Sequence, residues 1–477
     1  MAHHFIDNAP AAPSSGQTLP VIDPATGETY NTLARGNAVD LDQAVQSSRR
    51  AFERHWQATP AAERGRLLMK LSQAVLAFAD ELAALEQRDC GKPVTQAKAD
   101  ARALARYFEF YAGAADKLHG DTIPYLNGYS VLTWREPHGV TGHIIPWNYP
   151  MQIFGRCVGG ALAAGNTCVV KPSEDACLSL LRVAELAAEV GFPPGVINVV
   201  TGYGHEVGDA LARHPGVDHI SFTGSPRVGT LIAQAAAERH CPVTLELGGK
   251  GPQLVFNDAD VDAALPFWVS AIVQNSGQTC SAGSRLLVHR PVYEAVLARL
   301  GQAFSRLRAG PPALDLDLGP LIRASQQTRV QGFLADAAAQ GIATVAQGQV
   351  VPEAHPGGFY AAPTLLRDVP PTHRLAQEEV FGPVLSAMPF DDEDHAVALA
   401  NGTSFGLVAG VWTRDGARQF RLARRVRAGQ VFVNNYGAGG GVELPFGGVK
   451  SSGHGREKGF EALQGFTTLK TVAFKHD

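Results

Sequence analysis

The chain contains 477 residues, of which 45% are hydrophobic, and it carries a formal net charge of −4 at pH 7. Its length and apolar content predict a globular protein with two or three domains and large buried cores. Because the basic residues are scattered, we expect no nucleic-acid partner, although one local arginine could still bind an anionic substrate.

A short strand, three helices and a hairpin are predicted in the first 137 residues. Apolar residues at helical spacing predict helices over residues 40–56, 61–89 and 97–118. Gly91 and Pro93 mark the end of the second helix. Asn127 and Gly128 separate two strand-like runs, which predicts a hairpin with a two-residue turn. Since an isolated hairpin is only marginally stable, we expect it to dock on another element.

Apolar strands alternate with glycine- and alanine-rich helical stretches between residues 140 and 245. The strands are predicted at residues 142–145, 167–170, 196–200 and 219–222. This βαβ alternation is typical of a doubly wound, Rossmann-like dinucleotide-binding sheet. The usual GxGxxG sequence is missing, but looser glycine turns at 202–204 and 224–229 could place helix N-termini against a pyrophosphate.

A second alternation of strands and helices follows between residues 249 and 432. It includes a predicted strand at 285–289, a helix at 292–307 and a strand at 408–412. Residues 465–474 alternate as a strand does. The sequence therefore predicts a second α/β unit and a C-terminal strand.

Cys280 lies among small polar residues after an apolar run, with glycines on both sides that would let a substrate approach its sulfur. Upstream, Glu246 lies in an apolar run that ends in two glycines, Gly248 and Gly249, which suits a base that must move or lie close to a ligand. Taken singly, a cysteine is more often a packing residue and a glutamate a solvated one. The combination suggests a cysteine nucleophile with a glutamate base.

The cysteines show neither a CxxC metal pair nor a disulfide-dense pattern, which fits a reducing cytoplasm. They are Cys90, Cys157, Cys168, Cys177, Cys241 and Cys280. The first 20 residues lack a signal-peptide pattern, and no later run is apolar for long enough to span a membrane. We expect no membrane association. The 16 histidines form no HExxH or clustered ligand spacing, so we expect no catalytic metal.

Seven short motifs occur in a fixed order. They are Pro146-Trp-Asn-Tyr-Pro150, Lys171-Pro-Ser-Glu174, Phe222-Thr-Gly-Ser225, Glu246-Leu-Gly-Gly-Lys250, Gly277-Gln-Thr-Cys280, Glu378-Glu-Val-Phe-Gly-Pro383 and Pro445-Phe-Gly-Gly-Val-Lys450. In order and spacing the chain closely resembles the NAD(P)-dependent aldehyde dehydrogenase superfamily, from about residue 22 to about residue 472.

The resemblance implies an aldehyde-dehydrogenase-like α/β fold with three parts. These are a doubly wound NAD-binding domain (residues 1–118 and 138–248), an α/β catalytic domain (249–450), and a β-hairpin oligomerisation arm with the C-terminal tail (119–137 and 451–477). In this family the C-terminal strand joins the hairpin. The resemblance also implies a homodimer or homotetramer.

Three residues match the family's catalytic positions. Cys280 would attack the aldehyde as a thiolate. The side chain of Asn148 would stabilise the resulting oxyanion, together with the backbone N–H of Cys280. Glu246 would take a proton from Cys280 or from the water that attacks the acyl-thioester. Branches that pass the acyl group to coenzyme A generally lack this glutamate, so Glu246 predicts a free acid as the product.

The resemblance implies NAD as the cofactor. It places the adenosine ribose at Lys171 and Glu174, the pyrophosphate at Gly224 and Ser225, and the nicotinamide ribose and ring at Glu379 and Phe381. The rest of the predicted NAD-binding set is Ile144, Ile145, Pro146, Trp147, Gly204, Gly208, Phe222, Val228, Leu247 and Gly248. Glu174 favours NAD over NADP, because a carboxylate accepts both ribose hydroxyls and repels a 2′-phosphate.

One position departs from the family pattern. Many members carry a lysine nine residues after the oxyanion asparagine, in a proton relay that starts at the general base, and this chain has Cys157 there. Glu457 matches the relay's carboxylate. The proton path from Glu246 must therefore use water or follow a route different from the family's relay. Cys157 is interpreted as a packing residue.

The predicted substrate channel contains Tyr149, Phe154, Arg156 and Tyr436, with a glycine-rich loop at 436–441 near its mouth. Arg156 either holds a substrate carboxylate or structures the channel. Semialdehyde enzymes place a second arginine six residues before the cysteine, where this chain has Gln274, and this argues against succinic semialdehyde. An aromatic aldehyde or an aryl-bearing semialdehyde fits better.

Two other readings keep the same fold without dehydrogenase activity. A cofactor-independent thiol esterase would leave Lys171, Glu174 and Glu379 without a task. A catalytically silent nucleotide-binding or structural protein would be expected to lose Cys280 or Glu246, and this chain retains both.

Overall fold

Helices and strands alternate along most of the chain in the computed structural model, which describes residues 2–437 and 441–476. Before residue 250 the strands are β1 (His4–Ile6), β2 (Ala9–Ala11), β3 (Thr18–Asp23), β4 (Glu28–Ala34), β5 (Thr122–Ile123), β6 (Tyr129–Pro137), β7 (Val140–Ile145), β8 (Thr167–Pro172), β9 (Ile197–Val199), β10 (His219–Thr223) and β11 (Val243–Glu246). The α-helices are α1 (Ala38–Arg54), α2 (Ala61–Ala77), α3 (Ala79–Cys90), α4 (Val94–Ala114), α5 (Pro150–Ala164), α6 (Leu178–Glu189), α7 (Asp209–Arg213) and α8 (Pro226–Ala237).

The second half of the chain continues the same alternation. Its strands are β12 (Pro252–Val255), β13 (Arg285–His289), β14 (Arg308–Ala309), β15 (Thr344–Gln347), β16 (Gln349–Val350), β17 (Thr364–Leu366), β18 (Val384–Phe390), β19 (Val408–Trp412), β20 (Gln430–Val433), β21 (Gly453–His454) and β22 (Thr467–Lys475). Its α-helices are α9 (Val261–Val273), α10 (Tyr293–Phe304), α11 (Ala324–Ala339), α12 (Arg374–Gln377), α13 (Glu393–Asn401), α14 (Gly416–Arg425) and α15 (Gly459–Gly465).

The first large sheet confirms the doubly wound prediction. Within the described residues its strand order is β2-β1-β9-β8-β7-β10-β11-β21, and β9 to β11 run parallel. The chain moves outward from β7 to β9 and then returns to place β10 on the other side of β7. Ligands of such sheets bind outside the carboxyl ends of the strands at this reversal. The loops that follow β7 and β10 are therefore placed for ligand binding.

Apolar side chains cover both faces of this sheet. Leu104 of α4 and Val158 of α5 belong to one buried cluster, and Leu41 of α1 and Ile232 of α8 belong to another. The short β21 pairs antiparallel with β11, so that Gly453 lies in register with Glu246. A segment from the end of the chain thus lies beside the predicted base.

The second sheet confirms the second α/β unit. In the part of the chain that is described, its order is β15-β17-β18-β13-β12-β19-β20, and its pairs are parallel apart from β15 with β17. Trp268 of α9 packs on one face and Phe333 of α11 on the other. The exact domain division remains a prediction, and its terminal residues Met1 and Asp477 lie outside the described residues.

The hairpin and the C-terminal strand form a three-stranded sheet in the order β22-β6-β5, as the resemblance implied. The predicted turn at Asn127 and Gly128 is confirmed, since Tyr129 N donates to Leu126 O at 3.3 Å and Gly128 adopts φ +81°. The first strand is shorter than predicted: β5 ends at Ile123, so five residues, 124–128, separate it from β6. Pro124 has no N–H with which to extend the ladder.

The helix predicted over residues 61–89 is two helices, because Phe78 adopts φ −105° and ψ 20° between α2 and α3. The apolar spacing continues across the break, which hides it from the sequence. The Phe78 ring lies 5.0 Å from the guanidinium of Arg182 on α6, and α3 packs against α6. The predicted helix end is confirmed, since Gly91 caps α3 at φ +73°.

None of the helices in residues 2–437 and 441–476 is both long enough and apolar enough to cross a membrane.

Candidate active site

Two cavities meet at Cys280 and Asn148, which line both. Cavity A has a volume of about 630 Å³, and its walls include Gln96, Tyr107, Tyr149, Gln152, Ile153, Arg156, Phe446 and Lys458. Cavity B has a volume of about 540 Å³, and its walls include Pro146, Trp147, Gly224, Ser225, Glu246, Leu247, Gly248, Glu379 and Phe381. The thiol predicted to react thus lies between two separate spaces, each large enough for a small molecule.

The backbone before Cys280 is unusual. After α9 the chain makes one tight helical turn, Gln274–Gly277, in which Asn275 and Ser276 adopt φ values of +47° and +55°. Such left-handed conformations cost free energy in non-glycine residues and tend to occur at functional sites. Gly277, at φ +74°, has no room for a side chain, because a Cβ would lie 2.2 Å from Gly382 O.

Asn148 ties this turn to the loop after β7. Its Nδ2 donates to Gln278 O at 3.0 Å, and Asn275 Nδ2 donates to Asn148 O at 2.9 Å. An amide nitrogen carries two hydrogens, so one hydrogen remains after the bond to Gln278. Asn148 is buried, at 5% exposure.

The Cys280 thiol is held in its protonated form by its surroundings. Burial raises the pKa of Cys280 to about 12, although the Arg156 guanidinium opposes the shift. The thiolate is the nucleophilic form of cysteine, so a base must remove the proton before the sulfur can attack. On the far side of Cys280, Tyr436 donates its hydroxyl to Ser281 O at 2.7 Å and fixes the loop.

Glu246 lies at the carboxyl end of β11 and reaches cavity B. Neither carboxylate oxygen has a hydrogen-bond partner among the residues that the structure describes. Burial raises the pKa of Glu246 well above its usual value, and the nearby Glu457 raises it further, while Arg156 opposes the shift. A buried carboxyl group with a perturbed pKa beside a reactive thiol is a candidate proton acceptor.

The two glycines after Leu247 allow close contact. A Cβ at Gly248 would lie 2.6 Å from Glu379 Oε2, and one at Gly249 would lie 2.2 Å from Cys280 O. Gly249 N also donates to Glu379 Oε1 at 3.0 Å. These positions therefore require glycine so that the base-bearing segment can contact both Cys280 and Glu379.

Eight residues of the predicted NAD-binding set line cavity B: Pro146, Trp147, Gly224, Ser225, Leu247, Gly248, Glu379 and Phe381. Ser225 caps α8, its Oγ accepting from Val228 N at 3.4 Å. The positive end of that helix therefore begins at the cavity, which suits a phosphate group. Phe381, at φ +58°, packs edge-on against Trp147 with 5.4 Å between the ring centroids.

The other members lie at or near the ends of neighbouring elements and do not line cavity B: Ile144, Ile145, Lys171, Glu174, Gly204, Gly208, Phe222 and Val228. Ile144 pairs with Lys171 across β7 and β8. Lys171 Nζ lies 3.0 Å from Glu174 Oε2, and a Cβ at Gly204 would lie 4.0 Å from Lys171 Nζ. The buried Phe222 ring packs beneath Gly224.

Glu174 remains ionised at neutral pH. Burial acts to raise the pKa of Glu174, but the ammonium of Lys171, a backbone hydrogen bond and the charge of Arg323 together outweigh burial, and the net shift is downward. This carboxylate is therefore a hydrogen-bond acceptor with a full negative charge.

The predicted channel residues divide between cavity A and the core. Tyr149 and Arg156 line cavity A. Phe154 differs from the prediction, because its ring is fully buried and packs edge-on against Phe108 at 6.3 Å between centroids. Tyr436 is also buried and contacts the Cys280 loop, not the cavity wall. Residues 438–440 of the predicted channel-mouth loop lie outside the described residues.

Tyr107, Phe446 and Lys458 line cavity A but were not predicted as site residues. Tyr107 has the spacing of a core residue on α4, and Phe446 lies in a recognised motif, which was the available signal. Lys458, at φ +64°, has its ammonium 5.5 Å from the centroid of the Phe446 ring. Burial, and then repulsion from Arg156, lowers the pKa of Lys458 to about 8.

Arg156 forms an ion pair with the buried carboxylate of Glu457. Its guanidinium also lies 4.9 Å from the centroid of the Phe446 ring, and Nη2 donates to Thr223 Oγ1 at 3.4 Å. Glu457 Oε1 accepts from Ser221 Oγ at 2.9 Å. The guanidinium charge is thus matched within the protein.

Cys157 is buried, with its Sγ 3.9 Å from Phe154 O. Burial raises the pKa of this thiol well above its usual value. Within residues 2–437 and 441–476, no three His, Cys, Asp or Glu side chains are grouped so that they could hold a metal ion.

Comparison with known proteins agrees with the fold and with the motifs. A sequence model of the aldehyde dehydrogenase family matches residues 11–472. The NADP/NAD-dependent aldehyde dehydrogenase PuuC of Escherichia coli (strain K12) is 41% identical over 476 residues, which cover 98% of this chain and 94% of PuuC. A crystallised Burkholderia cenocepacia protein named as an aldehyde dehydrogenase is 70% identical, with a TM-score of 0.99 and 100% coverage of both chains. The NAD+ complex of a Bacillus cereus aldehyde dehydrogenase is 38% identical, with a TM-score of 0.97, over 100% of this chain and 97% of that chain.

Proposed function

The chain belongs to the aldehyde dehydrogenase family, and from this premise we propose that it oxidises an aldehyde to the carboxylic acid, with NAD+ as the hydride acceptor. The observation that carries the proposal is the position of Cys280 at the junction of two cavities. Cavity A would receive the aldehyde and cavity B would hold NAD+, so that substrate and cofactor would meet at Cys280.

Covalent catalysis begins with Cys280. Glu246 takes the thiol proton as the sulfur bonds to the carbonyl carbon, and the carbonyl electron pair moves to oxygen. Asn148 Nδ2–H and the backbone N–H of Cys280 stabilise this oxyanion, and loss of one such donor costs about 10²- to 10³-fold in rate. When bound, NAD+ supplies the acceptor for the hydride that leaves this carbon, and an acyl-thioester remains on Cys280.

Hydrolysis then releases the acid. After passing its first proton to solvent, Glu246 takes a proton from a water molecule as the water oxygen bonds to the acyl carbon. The bond from carbon to sulfur breaks, and Cys280 is restored. The raised pKa of Glu246 suits this task, because a carboxylate with a higher pKa is a stronger base.

The residues around cavity B fit a dinucleotide. Gly248 has no side chain, and a Cβ there would collide with the Glu379 carboxylate, which we assign to the nicotinamide ribose. Ser225 and the start of α8 are assigned to the pyrophosphate, and Lys171 with Glu174 to the adenosine ribose. The negative charge of Glu174 supports a preference for NAD over NADP.

The walls of cavity A support an aromatic or aryl-bearing aldehyde. Tyr107, Tyr149 and Phe446 supply aromatic surface around the thiol. The charge of Arg156 is matched by Glu457, and this favours a neutral tail over a carboxylate.

A cytoplasmic location and a homodimer or homotetramer complete the proposal. All six cysteines are free thiols, which supports a reducing compartment.

The β5–β6 hairpin and β22 expose the apolar side chains of Tyr125, Leu126, Trp134, Leu469 and Phe474. Exposed apolar side chains on one small sheet support association of subunits, which light scattering during size-exclusion chromatography would measure.

The test is a panel of aromatic and aliphatic aldehydes with NAD and with NADP, followed by absorbance of the reduced nicotinamide. We expect turnover with NAD and an aldehyde, and a carboxylic acid as the product. Ester hydrolysis without reduction of the cofactor would favour the thiol esterase, and no turnover of either kind would favour the silent protein.

A further inference from the structure

A buried ion pair lies close to the proposed base, and one of its members, Arg156, lines cavity A. Arg156 belongs to α5, which begins directly after the loop that carries Asn148. Glu457 belongs to the segment after β21 and has 0% exposure, and Arg156 has 7%. Burying two charges has a large desolvation cost, so retention of the pair calls for a local explanation.

Both partners are attached to the strand next to Glu246. Thr223, which accepts a hydrogen bond from Arg156, lies in register with Glu246 across β10 and β11. Ser221, two residues earlier on the same face of β10, donates to Glu457. The ion pair therefore lies over the end of β10, directly beside the strand end that carries the base.

A second connection runs through the backbone. Glu457 and Phe446 exchange two backbone hydrogen bonds, with N to O distances of 2.7 and 2.6 Å. Gly447 follows Phe446, and a Cβ at Gly447, where φ is +157°, would lie 2.7 Å from Glu246 Oε1. The Glu246 carboxylate thus rests on the backbone segment that holds Glu457 in place.

From this arrangement we propose that Arg156 is a positioning residue: its guanidinium neutralises Glu457 and so allows Glu246 to ionise and act as the base, and it does not bind the substrate. Many family members carry a lysine where this chain has Cys157. Arg156, at the neighbouring position, would thereby supply the positive charge that Cys157 lacks. The inference rests on the proposed function, since it assumes that Glu246 is the base.

The charges around Glu246 determine the direction in which loss of Arg156 or Glu457 would shift the pKa of Glu246. The charged and titratable side chains that face it are Arg156 on α5, Cys280 after α9, and Arg456, Glu457 and Lys458 after β21. Without Arg156, the Glu457 carboxylate would lose its ion-pair partner, and its negative charge would act more strongly on Glu246. A like charge disfavours ionisation, and an opposite charge favours it.

The experiment measures the single-turnover rate of acyl-enzyme hydrolysis against pH in four proteins: the wild type, Arg156→Gln, Glu457→Gln and the double variant. This rate should rise with pH as Glu246 ionises. Arg156→Gln should move the rise to higher pH by about 1 unit or more. Glu457→Gln should move it to lower pH, and the double variant should return toward the wild type because the two charge effects oppose each other.

Arg49→Gln is the matched control, because Arg49 pairs with Asp218 away from both cavities. Its pH profile should coincide with that of the wild type. Circular dichroism and binding of NAD identify variants that fold. If Arg156→Gln fails to fold, two other variants still test the positioning role. Glu457→Gln keeps a hydrogen-bond acceptor for Ser221. Arg156→Lys should retain the wild-type pH profile.

Opposite shifts in the two single variants support the positioning role. Loss of rate in Glu457→Gln or Arg156→Gln without any shift of the pH profile would mean that the pair is purely structural, and it would overturn the inference. Glu246→Gln distinguishes failure of the positioning role from failure of the proposed function. If that variant keeps the wild-type pH profile, the assignment of Glu246 as the base has failed, whatever the pair does.

Discussion

Gly249 lies directly against Cys280, so closely that a side chain at position 249 would begin 2.2 Å from the Cys280 carbonyl oxygen. The nucleophile's backbone N–H is part of the proposed oxyanion site, and its position therefore depends on a glycine in another segment. We predict that Gly249→Ala lowers kcat by about 10²-fold, because a displacement near 1 Å has an effect of that size. The measurement is steady-state kinetics with a benzaldehyde.

Gly332→Ala is the control for this substitution. Gly332 lies inside α11, where a Cβ would meet nothing within 4 Å, so stability and kcat should be unchanged or slightly improved. Equal activity of Gly249→Ala and the wild type would show that the Cys280 loop tolerates displacement.

Cys280→Ala should abolish oxidation of aldehydes and remove covalent labelling by the acyl group, because no other thiol reaches the junction of the cavities among the residues that line them. Binding of NAD, followed by fluorescence quenching, should be nearly unchanged. Substantial turnover in this variant would end the assignment of Cys280 as the nucleophile.

Glu246→Gln should slow hydrolysis of the acyl-enzyme by about 10²- to 10⁴-fold, the usual contribution of a general base. The pKa of Glu246 is raised by burial, so its active carboxylate form increases as pH rises through that pKa, and the wild-type rate should rise with it. The glutamine variant should lose this rise. Rapid mixing distinguishes the hydride burst from the later hydrolysis, and a wild-type burst together with a wild-type steady-state rate would exclude Glu246 as the base.

Glu174→Gln should narrow the preference for NAD over NADP. The substitution removes a negative charge that would face the 2′-phosphate, and a hydrogen bond to a charged group contributes about 1.5 to 3 kcal/mol, so the ratio of kcat/KM values should change by roughly 10- to 150-fold. Lys171 is unchanged in both proteins, so the difference between their ratios reports on the Glu174 carboxylate. A wild-type enzyme with the higher kcat/KM for NADP would contradict the prediction.

Arg156→Met distinguishes a positioning residue from a substrate-binding one. If Arg156 serves Glu457, kcat/KM should fall by a similar factor for a carboxylate-bearing semialdehyde and for a neutral benzaldehyde. The ratio of the two values cancels general damage to the fold. A selective loss of about tenfold or more for the acidic substrate would instead show that the guanidinium holds a substrate carboxylate.

The sequence was informative wherever chemistry or periodicity is local. Cys280, Glu246 and Asn148 were identified from their motifs, and the structure brings all three to one place. Phe154 and Arg156 show the limit. Both are predicted channel residues two positions apart on α5, but residues at that spacing point in different directions on a helix, so that one is in the core and the other lines the cavity.

Contacts between segments that are distant in the chain could not be predicted from the sequence. Nothing in the local sequence indicates that Glu457 pairs with Arg156, because the contact depends on β21 adding to the first sheet beside β11. The break at Phe78 has no signal in the apolar spacing, which continues across it. The left-handed conformation of Lys458 has no sequence signal either, because a lysine rarely adopts a positive φ.

The junction of the two cavities at Cys280 also bears on the order of events during turnover. An aldehyde in cavity A and a dinucleotide in cavity B would occupy different spaces, with the thiol as the point of contact. The spent cofactor could therefore depart while the acyl group is still attached to sulfur, and the space it leaves beside Glu246 would admit the water that completes the reaction.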